Sequence, residues 1–121
     1  MSDGVAKRVL VTDSLQDVGV ETLRGEGLLV DVVPTLPPEE LARRIGPYTG
    51  LVVRSATRVT AEVIDAAPAL EVIGRAGVGL DNVDVEAATR RGIVCMNTPG
   101  GNTIAAAEHT MALLLAVARQ L

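Results

Sequence analysis

The chain has 121 residues, one domain's worth, and 48% of them are apolar, enough for one continuous core. Val, Ala, Leu and Ile supply 53 residues and Tyr48 is the only aromatic, which excludes stacking of bases or sugars on aromatic platforms. The net charge of -4 argues against nucleic acid as a partner, and lone Cys95 and His109 exclude an internal disulfide, a cysteine metal cluster and a histidine-pair metal site.

Met1-Ser2-Asp3-Gly4 carries no basic-then-apolar signal segment, so a soluble cytoplasmic protein is expected. The first apolar run, Val9-Leu10-Val11, is followed by Thr12-Asp13-Ser14, and a weak helix is predicted from Gln16 to Arg24, ended by Gly25 and Gly27. A second run, Leu28 to Val33, stops at Pro34. Pro37-Pro38-Glu39-Glu40 opens a helix with proline in its first turn and acids at its positive end, and Gly46-Pro47 closes it. The third run, Leu51-Val52-Val53, ends at Arg54-Ser55. Thr60 suits the cap of a helix that buries Val63, Ile64 and Ala67, stopped by Pro68. Leu70 to Ile73 and Ile93 to Met96 are the fourth and fifth runs, and between them Asp84 caps a short helix, Val85 to Arg91. Asn102 opens a final helix to Leu121, about 27 Å long, whose Met111 to Ala118 is apolar on every side.

The strands are short, β-branched and apolar rather than alternating, the pattern of strands covered on both faces. Alternation with helices predicts an α/β, doubly wound parallel sheet of five strands, flavodoxin-like, in the order 2-1-3-4-5. The last helix has no place in that domain. Thr110 to Ala118 is only nine uncharged residues, too short for a membrane span, so no membrane partner is expected. The chain therefore divides into a domain over 1–101 and a linker helix over 102–121, expected to lead to a domain absent from this sequence.

Ligands of open α/β sheets bind beyond the carboxyl ends of the strands. Two arginines, Arg54 and Arg75, stand at adjacent strand ends in the predicted order, and Gly77 and Gly79 follow Arg75. Guanidinium groups grip carboxylate or phosphate bidentately, and glycine-rich backbone turns N–H groups toward an anion. The bland alternative is that each arginine pairs with a local acid such as Asp81 or Asp84. Gly74-x-x-Gly77-x-Gly79 is not a dinucleotide fingerprint, because the third glycine's place, counted from Gly77, is held by Asn82. Arg54 stands where a phospho-receiver domain needs an acid. His109 reads as an ordinary helix histidine, Cys95 as an inert thiol in a central strand, and Glu39-Glu40 with Arg43-Arg44 as a solvated face.

Val53-Arg54-Ser55-Ala56-Thr57, then Gly74-Arg75-Ala76-Gly77-Val78-Gly79-Leu80-Asp81-Asn82-Val83-Asp84, with Asn97-Thr98-Pro99 and Ala118-Arg119-Gln120, resembles the phosphoglycerate branch of the D-isomer-specific 2-hydroxyacid dehydrogenases. The resemblance runs along nearly the whole chain and is tightest over 51–121. It implies an NAD-dependent oxidoreductase acting on 3-phosphoglycerate, or a similar small anionic 2-hydroxy acid, on the route to serine. It makes 1–101 the larger part of the substrate-binding domain and 102–121 the helix that crosses to the nucleotide-binding domain, which the family also uses to dimerise. Carried over by position, Arg54, Ser55, Arg75, Ala76 and Gly77 face the substrate, and Val78 lies toward the nicotinamide of NAD. The family's cofactor loop, catalytic arginine and Glu-His pair fall beyond residue 121, so this chain alone is expected to be inactive, with no catalytic residue, no metal and no bound cofactor. The competing expectation is a free-standing flavodoxin-like association module that forms a homodimer, or exchanges domains, through helix 102–121.

Overall fold

The computed structural model describes residues 7–13, 21, 24–25, 27–54, 56–76 and 81–98. Within them the order is β1 (Arg8–Val11), β2 (Leu29–Val32), α1 (Pro38–Arg44), β3 (Gly50–Val53), α2 (Ala61–Asp65), β4 (Val72–Ala76), α3 (Val85–Arg90) and β5 (Val94–Thr98). The five strands form one sheet in the order β2-β1-β3-β4-β5, and every neighbouring pair is parallel, as the sequence predicts. The predicted helices over 16–24 and 102–121 lie largely or wholly outside the described residues.

Local chemistry sets the helix boundaries. Pro37 caps α1 in an extended conformation, Pro38 supplies its fixed φ, Glu39 and Glu40 face the positive end, and Arg43 and Arg44 the negative end. The Thr60 hydroxyl accepts the Val63 N–H at 3.3 Å, and the Asp84 carboxylate accepts the Ala87 N–H at 3.0 Å, so both predicted caps form. Gly92 ends α3 at φ 74°, a left-handed turn that only glycine adopts without a Cβ penalty. Arg91 then reaches back to donate to the carbonyls of Ile64 (2.7 Å), in the last turn of α2, and Ala67 (3.1 Å), just beyond it, tying the end of α3 to the end of α2.

The sheet is apolar on both faces only at its centre. Val9, Leu10 and Val11 of β1, Leu51, Val52 and Val53 of β3, and Val72 and Ile73 of β4 are all fully buried. Leu10, Leu51, Val53 and Ile73 join Leu41 and Ile45 at α1, Ile64 of α2 and Ala88 of α3 in one core cluster. The edges differ from the sequence expectation: Leu29 and Val32 of β2, and Val94 of β5, are exposed. Cys95 consequently sits in an edge strand, half-buried rather than fully enclosed, although burial still pushes its thiol pKa up.

Candidate functional site

Because the strands are parallel, their carboxyl ends gather along one edge of the sheet. Thr12-Asp13 follows β1, Arg54 follows β3, Arg75-Ala76 closes β4 and Asn97-Thr98 closes β5. Val53 pairs with Arg75 in register, so Arg54 lies one position beyond Arg75 on the neighbouring strand. The adjacency expected of the two arginines therefore holds along the sheet. Ala76 pairs with Thr98 at the end of β4. Ser55, Gly77 and Val78, also expected at the site, lie outside the described residues.

The two guanidinium groups stand in different surroundings. Arg75 is 8% exposed and its Nη1 donates to Asp81 Oδ1 at 2.7 Å, so the bland alternative of a local acid holds for Arg75. That acid is 89% exposed at its side chain, where water and salt screen the pair. Arg54 is half-buried, and no carboxylate lies within ion-pair distance of it among the described residues. A pocket of about 270 Å³ opens beside these residues, lined by Arg58, Val59, Thr60, Asp81, Asn82, Val83 and Asp84. It shares Asp81 with the Arg75 ion pair rather than containing either arginine.

Residues that the sequence reading named without giving them a role, Asp13 above all, shape this edge. Asp13 takes a left-handed backbone conformation, φ 66°, which aspartate tolerates better than most residues. Its Oδ2 accepts the backbone N–H of Arg54 at 3.0 Å and that of Thr57 at 2.9 Å. Its Oδ1 accepts the Thr57 hydroxyl at 2.6 Å and also the Thr35 hydroxyl. Thr57, its hydroxyl proton given to Asp13, accepts from the Thr12 hydroxyl at 2.8 Å, and both threonines are fully buried. Burial pushes the Asp13 carboxyl up, but the hydrogen bonds from Thr35, Thr57 and the Arg54 and Thr57 amides outweigh it and hold it below the usual carboxylate range. Asp13 is therefore ionised at neutral pH.

Asn82 approaches the same loop from the other side. Its Nδ2 donates to the carbonyl of Arg54 at 2.7 Å and to that of Thr57 at 2.6 Å. Val59 donates its N–H to the Asn82 carbonyl, and Val59 bridges to Val83, so this support is itself held by backbone pairing. Among the described residues no group of three or more metal-ligating side chains exists. No described helix is long and apolar enough to cross a membrane.

Comparison with known proteins agrees with this architecture. The family model for the D-isomer specific 2-hydroxyacid dehydrogenase catalytic domain matches residues 9–119. D-3-phosphoglycerate dehydrogenase of Archaeoglobus fulgidus is 52% identical over 114 residues, 94% of this chain and 22% of that protein. The human enzyme of the same name is 50% identical over 115 residues, 95% of this chain and again 22% of its relative. The chain thus spans about a fifth of the length of these curated relatives. Among solved structures, a Thermus thermophilus protein aligns with a TM-score of 0.72 at 47% identity, over 93% of this chain and 37% of that one. A cofactor (NAD+) bound 3-phosphoglycerate dehydrogenase of Entamoeba histolytica aligns with a TM-score of 0.70 at 31% identity, over 79% and 34%.

Proposed function

This chain belongs to the D-isomer specific 2-hydroxyacid dehydrogenases, a family of oxidoreductases, and we propose that it is the substrate-holding part of an NAD-dependent D-3-phosphoglycerate dehydrogenase. The observation that carries the reading is the pair Arg54 and Arg75 at register-adjacent ends of β3 and β4, the second largely buried. 3-Phosphoglycerate bears a phosphate and a carboxylate, and two permanently charged forks suit two anionic groups. In this reading Arg75 exchanges its exposed partner Asp81 for a substrate oxyanion, and Arg54 takes the second anionic group. Ser55 and the backbone of Ala76 and Gly77 complete the cradle, and Val78 lies toward the nicotinamide. NAD supplies the hydride acceptor.

The described residues do not fit the dinucleotide's phosphates. A pyrophosphate site needs a glycine-rich turn from a strand into a helix N-terminus. After β1 this chain instead places the ionised Asp13, which repels a pyrophosphate. In this reading the cofactor loop and the acid-base pair are not among the described residues, which then take no proton from the substrate's hydroxyl.

Titration of the chain with 3-phosphoglycerate, followed by NMR, tests the reading. Shifts should centre on Arg54 and Arg75, and Arg54→Gln or Arg75→Gln should each weaken binding at least tenfold, about 1.4 kcal/mol. Chain, NAD and 3-phosphoglycerate together should yield no NADH above background. A titration without site-localised shifts sinks the substrate assignment, and measurable turnover sinks the division of labour. A second reading, association through the all-apolar run Met111 to Ala118, rests on the sequence. It requires a dimer in sedimentation at tens of micromolar.

A further inference from the structure

The loop that carries Arg54 is held by two side chains in a complementary way. Asp13 Oδ2 accepts the N–H groups of Arg54 and Thr57, while Asn82 Nδ2 donates to the carbonyls of the same two residues. One carboxylate and one amide thereby bind both polar backbone groups at each end of the 54–57 turn. The amide orientation is forced, since turning Asn82 over would set its oxygen against two carbonyl oxygens. The arrangement leaves Asn82 Oδ1 buried with no hydrogen-bond partner among the described residues.

The brace holds the backbone from which Arg54 projects. In-register residues of neighbouring parallel strands share a sheet face, so Val53 and Arg75 lie on one side. Were β3 to continue, the pleat would send residue 54 to the opposite side from Arg75. β3 instead ends at Val53, and two of the four hydrogen bonds, one to Asp13 and one from Asn82, take over at Arg54. Asn82 also directly follows Asp81, the ion-pair partner of Arg75, so one short segment touches the surroundings of both arginines.

We propose that Asp13 and Asn82 are positioning residues, acting through Arg54, that fix its guanidinium relative to Arg75 for binding a doubly anionic substrate. The proposal rests on the substrate reading above, and the experiment separates the two. Affinity for 3-phosphoglycerate is measured by NMR titration or calorimetry for the chain and for Asp13→Asn, Arg54→Gln, Arg75→Gln and the two double variants. Asp13→Asn keeps the shape of the side chain but turns an amide N–H₂ or a single weaker acceptor toward the two backbone donors.

Asp13→Asn should weaken binding about tenfold while circular dichroism stays native. Arg54→Gln should then cost less than twofold further in the Asp13→Asn background, whereas Arg75→Gln should cost as much there as in the parent chain. A general loss of stability would not distinguish the two arginines. Should Asp13→Asn fail to fold, Asn82→Ala reads the same cycle and should give the same asymmetry. Equal, additive losses for both arginines, or unchanged affinity in the Asp13 and Asn82 variants, overturn the positioning role alone. Absence of binding by the parent chain overturns the substrate reading, and the positioning role with it.

Discussion

Asp13 is the residue on which most of the strand-end chemistry converges, and its charge makes that convergence pH-dependent. Its carboxyl is held below the usual carboxylate range, so folding favours the ionised form. A group depressed on folding contributes stability that is complete above its unfolded pKa, about 3.9, and is lost as pH falls through the lower folded value. Asp13→Asn should therefore lower stability by about 1–3 kcal/mol at pH 7, the scale for hydrogen bonds to a charged group. The gap should narrow toward pH 3, because only the parent loses its contribution there. Urea midpoints at the two pH values check this, and a gap that widens on acidification would contradict the assignment. The sequence places Asp13 at a strand end but announces none of its bonds. Its backbone partners are 41 and 44 residues away, and side-chain to backbone bonds of that span leave no periodicity to read. The Arg75–Asp81 pair, only six residues apart, was legible as the bland alternative.

At the scale of elements, what could be read were features that repeat or cap. Short valine-rich runs give the central strands, Thr60 and Asp84 give their helix starts, and Gly92 gives a stop. Edge exposure left only one sign, Asp31 inside β2, because the apolar letters are the same whether a second layer covers them or not. Leu51 in β3 is fully buried, while Leu29 is 54% exposed in β2, where Asp31 interrupts the apolar run. Leu51→Ala should cost about 2–5 kcal/mol through lost burial and a residual cavity. Leu29→Ala should stay near 0.5 kcal/mol, the range of surface changes. Denaturant unfolding of the two variants reads the contrast, and similar losses would mean that β2 is packed in solution. The same test bears on Arg91, whose donation to Ile64 and Ala67 joins two helices that the sequence treats as separate.

For the whole molecule, repeated βα alternation predicts a doubly wound sheet, five strands suggest the flavodoxin-like order, and it is the order found. The site was legible only as a location and two charges: strand-end geography points to Arg54 and Arg75, but not to the braces between them. An all-parallel sheet has a further consequence, in time rather than in structure. No two neighbouring strands are joined by a hairpin, and β1 meets β3 through Val9 and Gly50, forty-one positions further on. Ordering the sheet centre thus demands that distant segments find each other before any contact rewards them. Stopped-flow refolding should accordingly take milliseconds to seconds rather than microseconds. A microsecond phase recovering full native signal would show that the chain assembles by some more local route.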